Sequence, residues 1–278
     1  MAASFILSAL SYVFGWGYFI SWSLSFYPQP VLNYYRQSTS GTTIDFPAIN
    51  ILGFAAYFIS NTAFLYSPEI RRQYAARNHG LTPTVKLNDV AFAAHATICS
   101  MISMSQYFPS IWGFRDGSRR RERVGRTVMG IFIGSIIGVG GVAAMVAASP
   151  GTDVVSGWAE IDIVYAISYV KLVVTLVKYI PQLVTNYNNK STHGWSIHQI
   201  IFDLIGGFLS LGQLGIDSYI QRDWSGVTGN PVKLCLGNSS LVFDSMFIVQ
   251  HYILYPGVGK TEHSEGRRLL DPEGDETA

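Results

Sequence analysis

Charge is scarce in this sequence. Asp, Glu, Lys and Arg make up 13% of the 278 residues, whereas hydrophobic residues make up 49%. Soluble domains usually carry about 25% charged residues, so the composition excludes an ordinary soluble globular protein and is typical of a membrane protein. The net charge of +1 and one short basic run give no indication of nucleic-acid binding.

Cysteine and metal-ligand patterns are also scarce. The two cysteines, Cys99 and Cys235, lie in or at the edge of apolar segments, which excludes a disulfide framework. His95 and His251 have no Cys or second His at metal-ligand spacing. We therefore expect neither a metal centre nor another cofactor.

Seven apolar segments are long enough to cross about 30 Å of hydrocarbon as helices. Their aromatic, Gly and Pro residues recur at helical rather than alternating spacing, which argues against a β-barrel. The first segment is too long and aromatic for a cleaved signal peptide, so we expect it to remain as the first helix. The predicted spans are Ser8–Tyr27, Phe46–Tyr66, Val90–Phe108, Val128–Ala148, Trp158–Ile180, Ile197–Tyr219 and Leu234–Tyr255.

The densest cationic run, Arg-Arg-Arg-Glu-Arg at residues 119–123, joins the third and fourth spans. The positive-inside rule places this loop in the cytosol. The amino terminus is then non-cytosolic, and seven crossings put the carboxyl-terminal tail in the cytosol. The basic residues in the loop from Ser67 to Lys86 oppose this orientation.

The chain contains one pattern twice. An offset of 153 residues aligns Pro28 with Pro181, Gln29 with Gln182, Ile44 with Ile197, Asn50 with Asp203, and Gly53 with Gly206. The two copies start four crossings apart, so they run in the same direction through the membrane. This predicts an all-α membrane protein of two parallel three-helix bundles joined by a linker helix. The expected divisions are 1–114, 115–156, 157–256 and a cytosolic tail at 257–278.

The duplicated Pro-Gln pairs are candidate hinges. A proline in a membrane helix removes one backbone hydrogen bond and kinks the helix at Pro28 and Pro181. Gln29 and Gln182 follow the prolines and are placed to satisfy the freed backbone groups. One kink alone is commonly static, but two kinks at the same depth favour paired hinges for alternating access.

Charged residues inside the predicted spans are functional candidates, because burying charge in a bilayer is costly. Lys171 and Lys178 are two turns apart on one face of span five, where they suit a substrate carboxylate or a neighbouring Asp. Snorkelling explains Lys178 but not Lys171 at mid-span. Asp203 is followed by Gly206-Gly207, which allow another helix to approach closely, and it is the titratable counterpart of Asn50. The structural alternative is a buried Asp–Lys pair that fixes helix register.

Two further carboxylates and an aromatic stripe complete the candidate set. Asp89 either caps the third span or accepts a proton, and Asp244 lies in the middle of the seventh span. The aromatic stripe is either helix packing or the wall of a pocket that faces the Lys/Asp cluster. It consists of Tyr18, Trp22 and Phe26, and Phe54 would extend it.

These motifs together resemble the cystinosin family, the proton-coupled lysosomal cystine exporters among the PQ-loop proteins, from about Gly15 to Tyr255. Beyond the Pro-Gln pairs, the resemblance rests on Tyr169-Val170-Lys171-Leu172, Val177-Lys178-Tyr179-Ile180-Pro181-Gln182, Lys190-Ser191-Thr192, Phe202-Asp203 and Val242-Phe243-Asp244. It implies a PQ-loop transporter, not an enzyme, that exports L-cystine from an acidic lysosome-like or vacuolar lumen to the cytosol. Protons would be the coupling ion.

The resemblance also assigns residues. The implied substrate path is lined by Tyr18, Trp22, Phe26, Asn50, Phe54, Lys171, Lys178, Asn186, Gln199 and Asp203, and the implied proton-coupling residues are Asp203, Asp244 and Asp89. The family has Asn four residues before the span-six Asp, whereas this chain has Gln199, which is one methylene longer. This difference puts the ligand contact of Gln199 in question.

The tail carries a pattern that resembles an acidic dileucine signal for lysosomal or vacuolar delivery. Its residues are Glu265, Leu269 and Leu270. Animal members of the family use a tyrosine-based signal instead, and a chance match in a disordered tail is the alternative. Cytosolic sorting adaptors and nutrient-signalling complexes are the protein partners that this interpretation implies.

Three other functions stay open at this point. The same fold supports uniporters of sugars or other amino acids, although a titratable Asp203 argues against that choice. A PQ-loop-like sorting receptor would need a lumen-facing cationic cleft. An intramembrane aspartyl protease would need Tyr-Asp and Gly-x-Gly-Asp settings, which Phe202-Asp203 and Phe243-Asp244 do not provide.

Overall fold

The computed structural model describes residues 2–39, 43–114, 123–150, 153–190, 192, 197–221 and 231–256. Within these ranges, the side chains of some helical residues, including Pro181 and Gln182, lie outside the described part. The arginine run at 115–122 and the tail residues Glu265, Leu269 and Leu270 also lie outside the described residues.

The described residues form helices and no strands, and a helix covers each of the seven predicted spans. The helices are α1 (Ala2–Leu24), α2 (Pro28–Arg36), α3 (Asp45–Tyr66), α4 (Pro68–Arg77), α5 (Leu87–Ser105), α6 (Pro109–Trp112), α7 (Arg126–Ala148), α8 (Glu160–Asn189), α9 (Ile197–Gln221) and α10 (Pro231–Ile248), which continues as a π-helix over Val249–Leu254. Four segments are apolar and long enough to cross a membrane by length and composition, namely Phe5–Arg36, Asp45–Tyr66, Arg126–Ala148 and Gln199–Gln221. The other long helices, α5, α8 and α10, carry more polar residues.

The long helices alternate in direction, which gives the molecule two ends. The α4 end is the end at which α1, α5, α8 and α10 begin, and the PQ end is the opposite one. In each repeat the third helix contacts the other two: α5 packs on α1 and α3, and α10 packs on α8 and α9. Between repeats, α1 packs on α9 and α3 packs on α8. The six helices therefore form a closed ring.

Helix α7 links the repeats from outside this ring, where it packs against α8 and α3. Val128 is its buried residue, and a Cβ added at Gly134 or Gly138 would meet no atom within 4 Å. A glycine-rich, apolar helix with an open face is suited to contact with lipid.

The two Pro-Gln segments differ in backbone structure. Helix α1 ends at Leu24, and Pro28 lies in the first turn of α2, where the missing N–H removes no helix hydrogen bond. Pro181 instead lies inside α8, which is helical from Glu160 to Asn189. The chain is thus interrupted before Pro28 in the first repeat and stays helical through Pro181 in the second. Gln29 donates to Asn33 Oδ1 (3.0 Å) rather than to the freed backbone.

At the α4 end, α4 ties the first repeat to the start of α8. Arg77 donates to both carboxylate oxygens of Asp162, at 2.5 and 2.8 Å. The same guanidinium donates to the main-chain oxygens of Val154 (2.7 Å) and Gly157 (2.9 Å). We call these contacts the α4 staple.

A hydrogen bond and an apolar cluster reinforce the α4 staple. Gln73 Oε1 accepts a hydrogen bond from the N–H of Ile161 (2.8 Å), one of the N–H groups left free at the start of a helix. The cluster that surrounds these contacts consists of Phe64, Ile70, Tyr74, Val85, Ala159, Ile161 and Val164. The α3/α8 contact is therefore closed at this end by apolar packing together with an ion pair.

We predict that Arg77→Ala lowers the free energy of unfolding by about 2 kcal/mol, because it leaves a partly buried carboxylate without its charged donor. Thermal unfolding of the detergent-solubilised chain measures this change. Arg72→Ala is the matched control, since Arg72 pairs with Glu69 on the exposed surface of α4. It should leave the melting temperature unchanged, and an equal loss in both variants would contradict the assignment.

Candidate functional site

Two glycines at equivalent positions bring the repeats into contact. A Cβ at Gly206 would overlap the ring of Trp22 on α1, and a Cβ at Gly53 would lie 2.7 Å from Val174 Cγ1 on α8. Only glycine fits at either position. The indole N–H of Trp22 then donates to the main-chain oxygen of Asp203 (2.9 Å). The close approach expected at Gly206 is thus observed.

Aromatic residues from α1, α3 and α5 form one wall of the site. Tyr18, Trp22 and Phe54 are buried. Phe92 of α5 lies at the centre of this wall, with ring centroids 5.1 Å from Trp22, 5.7 Å from Phe54 and 6.4 Å from Phe26. The sequence interpretation missed Phe92. Its place one turn after Asp89, and so on the same face of α5, was the signal that could have found it.

Both lysines of the predicted stripe lie beside this wall. Lys171 is 3% exposed, and its Nζ lies 3.5 Å from the centroid of the Phe54 ring. Lys178 Nζ lies 6.0 Å from the same centroid and 4.7 Å from the centroid of Tyr179. In the described part of the chain neither lysine forms an ion pair. An Asp–Lys pair that fixes helix register is not observed there, so the cations face the aromatic wall instead.

Asp203 of α9 and Asp244 of α10 both belong to the second repeat and differ in their contacts. Asp203 Oδ2 accepts a hydrogen bond from the Tyr179 hydroxyl (2.8 Å). Asp244 is completely buried, and neither of its oxygens has a hydrogen-bond partner among the described residues. Asp203 and Lys178 are the charged groups that interact electrostatically with it.

Asp89 has contacts on both carboxylate oxygens. The Tyr18 hydroxyl donates to Oδ1, and the backbone N–H of Lys86, the residue that caps α5, donates to Oδ2 (2.7 Å). The capping interpretation of Asp89 therefore describes its contacts, although the cap acts from the third position of the helix rather than from the N-cap itself.

Neutral polar groups in the core also lack partners. Asn50, the repeat counterpart of Asp203, is buried, and its Oδ1 accepts no hydrogen bond among the described residues. The same holds for the hydroxyl of Thr175, one turn after Lys171, which the sequence interpretation missed. Gln199 lies one turn before Asp203 on α9 and is half-buried. Buried polar groups normally find partners, so these groups are available to a ligand.

Asn186 is not part of this cluster. It lies fifteen residues after Lys171 on α8, which is about 22 Å along a helix. Its Nδ2 donates to Gln250 Oε1 (3.0 Å), and Gln250 Nε2 donates to the main-chain oxygen of Leu183 (3.1 Å). Asn186 therefore holds the PQ end of the second repeat together.

The first repeat contains the same arrangement. Asn33 Nδ2 donates to Gln106 Oε1 (2.9 Å), and Gln106 Nε2 donates to the main-chain oxygen of Pro30 (2.9 Å). The offset of 153 residues relates Asn33 to Asn186 and Pro30 to Leu183. We call each set an Asn–Gln clamp. The sequence interpretation named Asn186 and missed both Asn33 and the pairing of the glutamines with the two asparagines.

The same offset shows how the repeats have diverged in the core. It pairs Tyr18 with Lys171 and Asn50 with Asp203. The first repeat therefore supplies an aromatic and an amide where the second supplies a cation and a carboxylate. The arrangement can bind a compact ligand that carries charges of both signs, with the aromatic wall on one side of it.

Comparison with known proteins gives matches over most of the chain. A family profile described as the PQ loop repeat matches residues 10–70 and 163–221. The chain is 38% identical to a Dictyostelium discoideum protein named cystinosin homolog, over 90% of this chain and 82% of that protein. It is 38% identical to cystinosin of Drosophila melanogaster, over 98% of this chain, and it spans only 65% of the fly protein. It is 24% identical to the cystine transporter of Saccharomyces cerevisiae, over 88% of this chain and 94% of the yeast protein.

Proposed function

Because the chain belongs to the cystinosin family of PQ-loop proteins, we propose that it exports L-cystine from an acidic lysosome-like or vacuolar lumen to the cytosol. Export would be coupled to protons and proceed by alternating access. The observation that carries the proposal is a buried cation, Lys171, and a buried carboxylate, Asp244, each without an ion pair in the described core between the repeats.

The charges of cystine complement this core. Each half of the molecule carries a carboxylate and an ammonium group. Lys171 and Lys178 supply cations for the carboxylates, while Asp203 and the free oxygen of Asn50 supply acceptors for the ammonium groups. Phe54 lies against both lysines and would pack on the apolar centre of the ligand.

Asp244 is the residue that we propose to carry the coupled proton. An ionised carboxylate buried without hydrogen bonds is costly, so Asp244 gains more from taking up a proton than a carboxylate that has hydrogen-bond donors. Asp203 is a weaker candidate, because the Tyr179 hydroxyl already stabilises its charge. Asp89 is weaker still, since both of its oxygens accept hydrogen bonds.

Alternating access is supported by the ring architecture. The α1/α9 and α3/α8 contacts join the two repeats, so the repeats can rock against each other at these two seams. The helix break before Pro28 is one of the two hinges that we propose. The hinge at Pro181 and Gln182 remains a prediction.

Uptake of labelled L-cystine tests the function and its coupling together, in cells that carry the protein in the plasma membrane. We expect faster uptake at external pH 5.5 than at pH 7.5, which are chosen to bracket an acidic lumen and the cytosol. Asp244→Asn mimics the protonated carboxyl, so its uptake should be equal at the two pH values. Asp153→Asn, at an exposed loop position, is the matched control and should keep the wild-type ratio. Absence of cystine uptake at both pH values would contradict the function, and a pH-dependent Asp244→Asn would contradict the role of Asp244.

Lys171→Met should raise the cystine concentration for half-maximal uptake about tenfold or more, because a contact to a charged group contributes about 1.5–3 kcal/mol. Lys190→Met is the matched control, since Lys190 is exposed and its Nζ lies over the ring of Tyr187 at the PQ end. Uptake kinetics of both variants, normalised to surface protein, give the comparison. Unchanged kinetics in Lys171→Met would assign this lysine a structural role.

Delivery to the lysosome or vacuole is proposed to depend on the dileucine pattern in the tail. Replacing Leu269 and Leu270 by Ala should move a tagged chain to the cell surface, because adaptors read both leucines in a cytosolic tail. Replacement of Arg267 and Arg268 by Ala keeps the acidic residue and both leucines, so it should leave the location unchanged. Intracellular residence of the leucine variant, seen by fluorescence imaging, would remove the signal.

A further inference from the structure

A polar cavity of about 240 Å³ lies at the α4 end, some distance from the candidate site. Hydroxyl, amide and charged side chains line it: Ser8, Thr82, Thr84, Lys86, Asp217 and Gln221. None of these residues belongs to the transport core described above. The cavity offers one cation and one carboxylate to a small ligand.

A charged contact between the two repeats lies in the wall of this cavity. Lys86 Nζ lies 2.7 Å from Asp217 Oδ1 and 2.7 Å from Ser11 Oγ, and Ser11 donates to Asp217 Oδ1 at 2.6 Å. Lys86 and Ser11 belong to the first repeat, whereas Asp217 belongs to α9 of the second. The lysine side chain is 40% exposed, so a ligand in the cavity can reach it. We call this contact the Lys86–Asp217 latch.

Below the latch, a stripe of small and polar residues leads along the α1/α9 seam to the core. The small and polar residues follow helical spacing on both helices: Ser11 and Gly15 on α1, and Asp217, Gln213, Ser210, Gly206 and Asp203 on α9. On α1 the aromatic Tyr18 and Trp22 continue the same face toward the core. Asn88 bridges the seam, with its Nδ2 3.2 Å from the main-chain oxygen of Gly15 and 3.5 Å from Gln213 Oε1. The stripe connects the cavity with Asp203.

The equivalent seam on the other side of the ring is closed differently. The offset of 153 residues puts Phe64 of α3 at the position of Asp217. Phe64 packs in an apolar cluster with Ile161 and Val164, and its ring centroid lies 5.3 Å from that of Tyr165. The α4 staple adds Arg77 and Asp162. Apolar packing of this kind offers no polar route, so the α1/α9 seam is the one suited to a charged ligand.

We propose that the cavity is an entry site for amino-acid zwitterions. The carboxylate of the ligand binds Lys86 in place of Asp217. Its ammonium group binds Asp217 in place of Lys86. The latch then opens, and the ligand moves along the α1/α9 seam to the core while the α3/α8 seam stays closed. The inference rests on the proposed function and on the orientation predicted from the arginine run, in which the α4 end faces the lumen.

The test measures how fast a maleimide labels a cysteine placed below the latch. Gln213→Cys, with Cys99→Ser and Cys235→Ser, supplies the reporter in the full chain, because position 213 is completely buried when the latch is closed. Lanthionine, the thioether analogue of cystine, is the ligand, since it cannot exchange with a thiol. Bis(2-aminoethyl) sulfide has the same ammonium groups and no carboxylates.

We expect lanthionine to speed labelling about fivefold, in line with the loss of a partly exposed ion pair, and the diamine to have no effect. Lys86→Met should label fast without ligand and should not respond to lanthionine. Exchanging the two charges, with Lys86→Asp and Asp217→Lys together, should restore slow labelling. A Val164→Cys reporter in the α3/α8 seam should stay unlabelled throughout.

The entry site would be overturned if lanthionine and the diamine changed the labelling rate equally. It would also be overturned if Lys86→Met left the labelling rate of the reporter unchanged. Should Gln213→Cys fail to fold, Ser210→Cys reports on the same stripe one turn deeper. The response to lanthionine must persist in Lys171→Met, which removes the core cation. This arm separates the two proposals, because failure of cystine transport alone would leave the labelling pattern intact.

Discussion

Two glycine contacts determine how closely the repeats can meet, and the rest of the site depends on this distance. Gly53 and Gly206 face the partner repeat at equivalent positions, and a methyl group at either would push α3 from α8 or α1 from α9. The close approach lets the Trp22 indole reach the backbone of Asp203 and lets Lys171 lie over Phe54. Without it, the aromatic wall and the charged residues would not form one pocket.

The site combines a symmetric backbone with asymmetric chemistry. Duplication places Tyr18 and Lys171 at equivalent positions, and likewise Asn50 and Asp203. Divergence has made the pair in the first repeat aromatic and neutral, and the pair in the second repeat charged. Two copies of the charged pair would bury two cations and two carboxylates in a low-dielectric core, whereas two copies of the neutral pair would bury no charge. The asymmetry therefore lets a single pocket hold both signs of charge while each repeat keeps its own fold.

Much of the architecture could be predicted from the sequence, because apolar run length and a 153-residue offset are local or repeated signals. Lys171, Asp203 and Asp244 stood out because charge in an apolar run is conspicuous, and Phe54 stood out only as an extension of the aromatic stripe. Phe92 was missed, because one more aromatic in an apolar helix carries no such contrast. The Asn–Gln clamps and the pairing of Lys86 with Asp217 were missed because they join helices far apart in sequence. The distance of Asn186 from Lys171 along α8 also required the structure, because a sequence motif identifies a residue without showing how deep in the membrane it lies.

The Asn–Gln clamps have an electrical consequence. A membrane potential exerts force on charged groups and leaves neutral amides almost untouched. At the PQ end, the Asn–Gln clamps join the Pro-Gln helix of each repeat to its third helix through neutral amide groups, at Asn33 with Gln106 and at Asn186 with Gln250. These hydrogen bonds should keep the same strength whether the membrane is polarised or not. A membrane potential can then act on a charged ligand and on the charged core without weakening the Asn–Gln clamps.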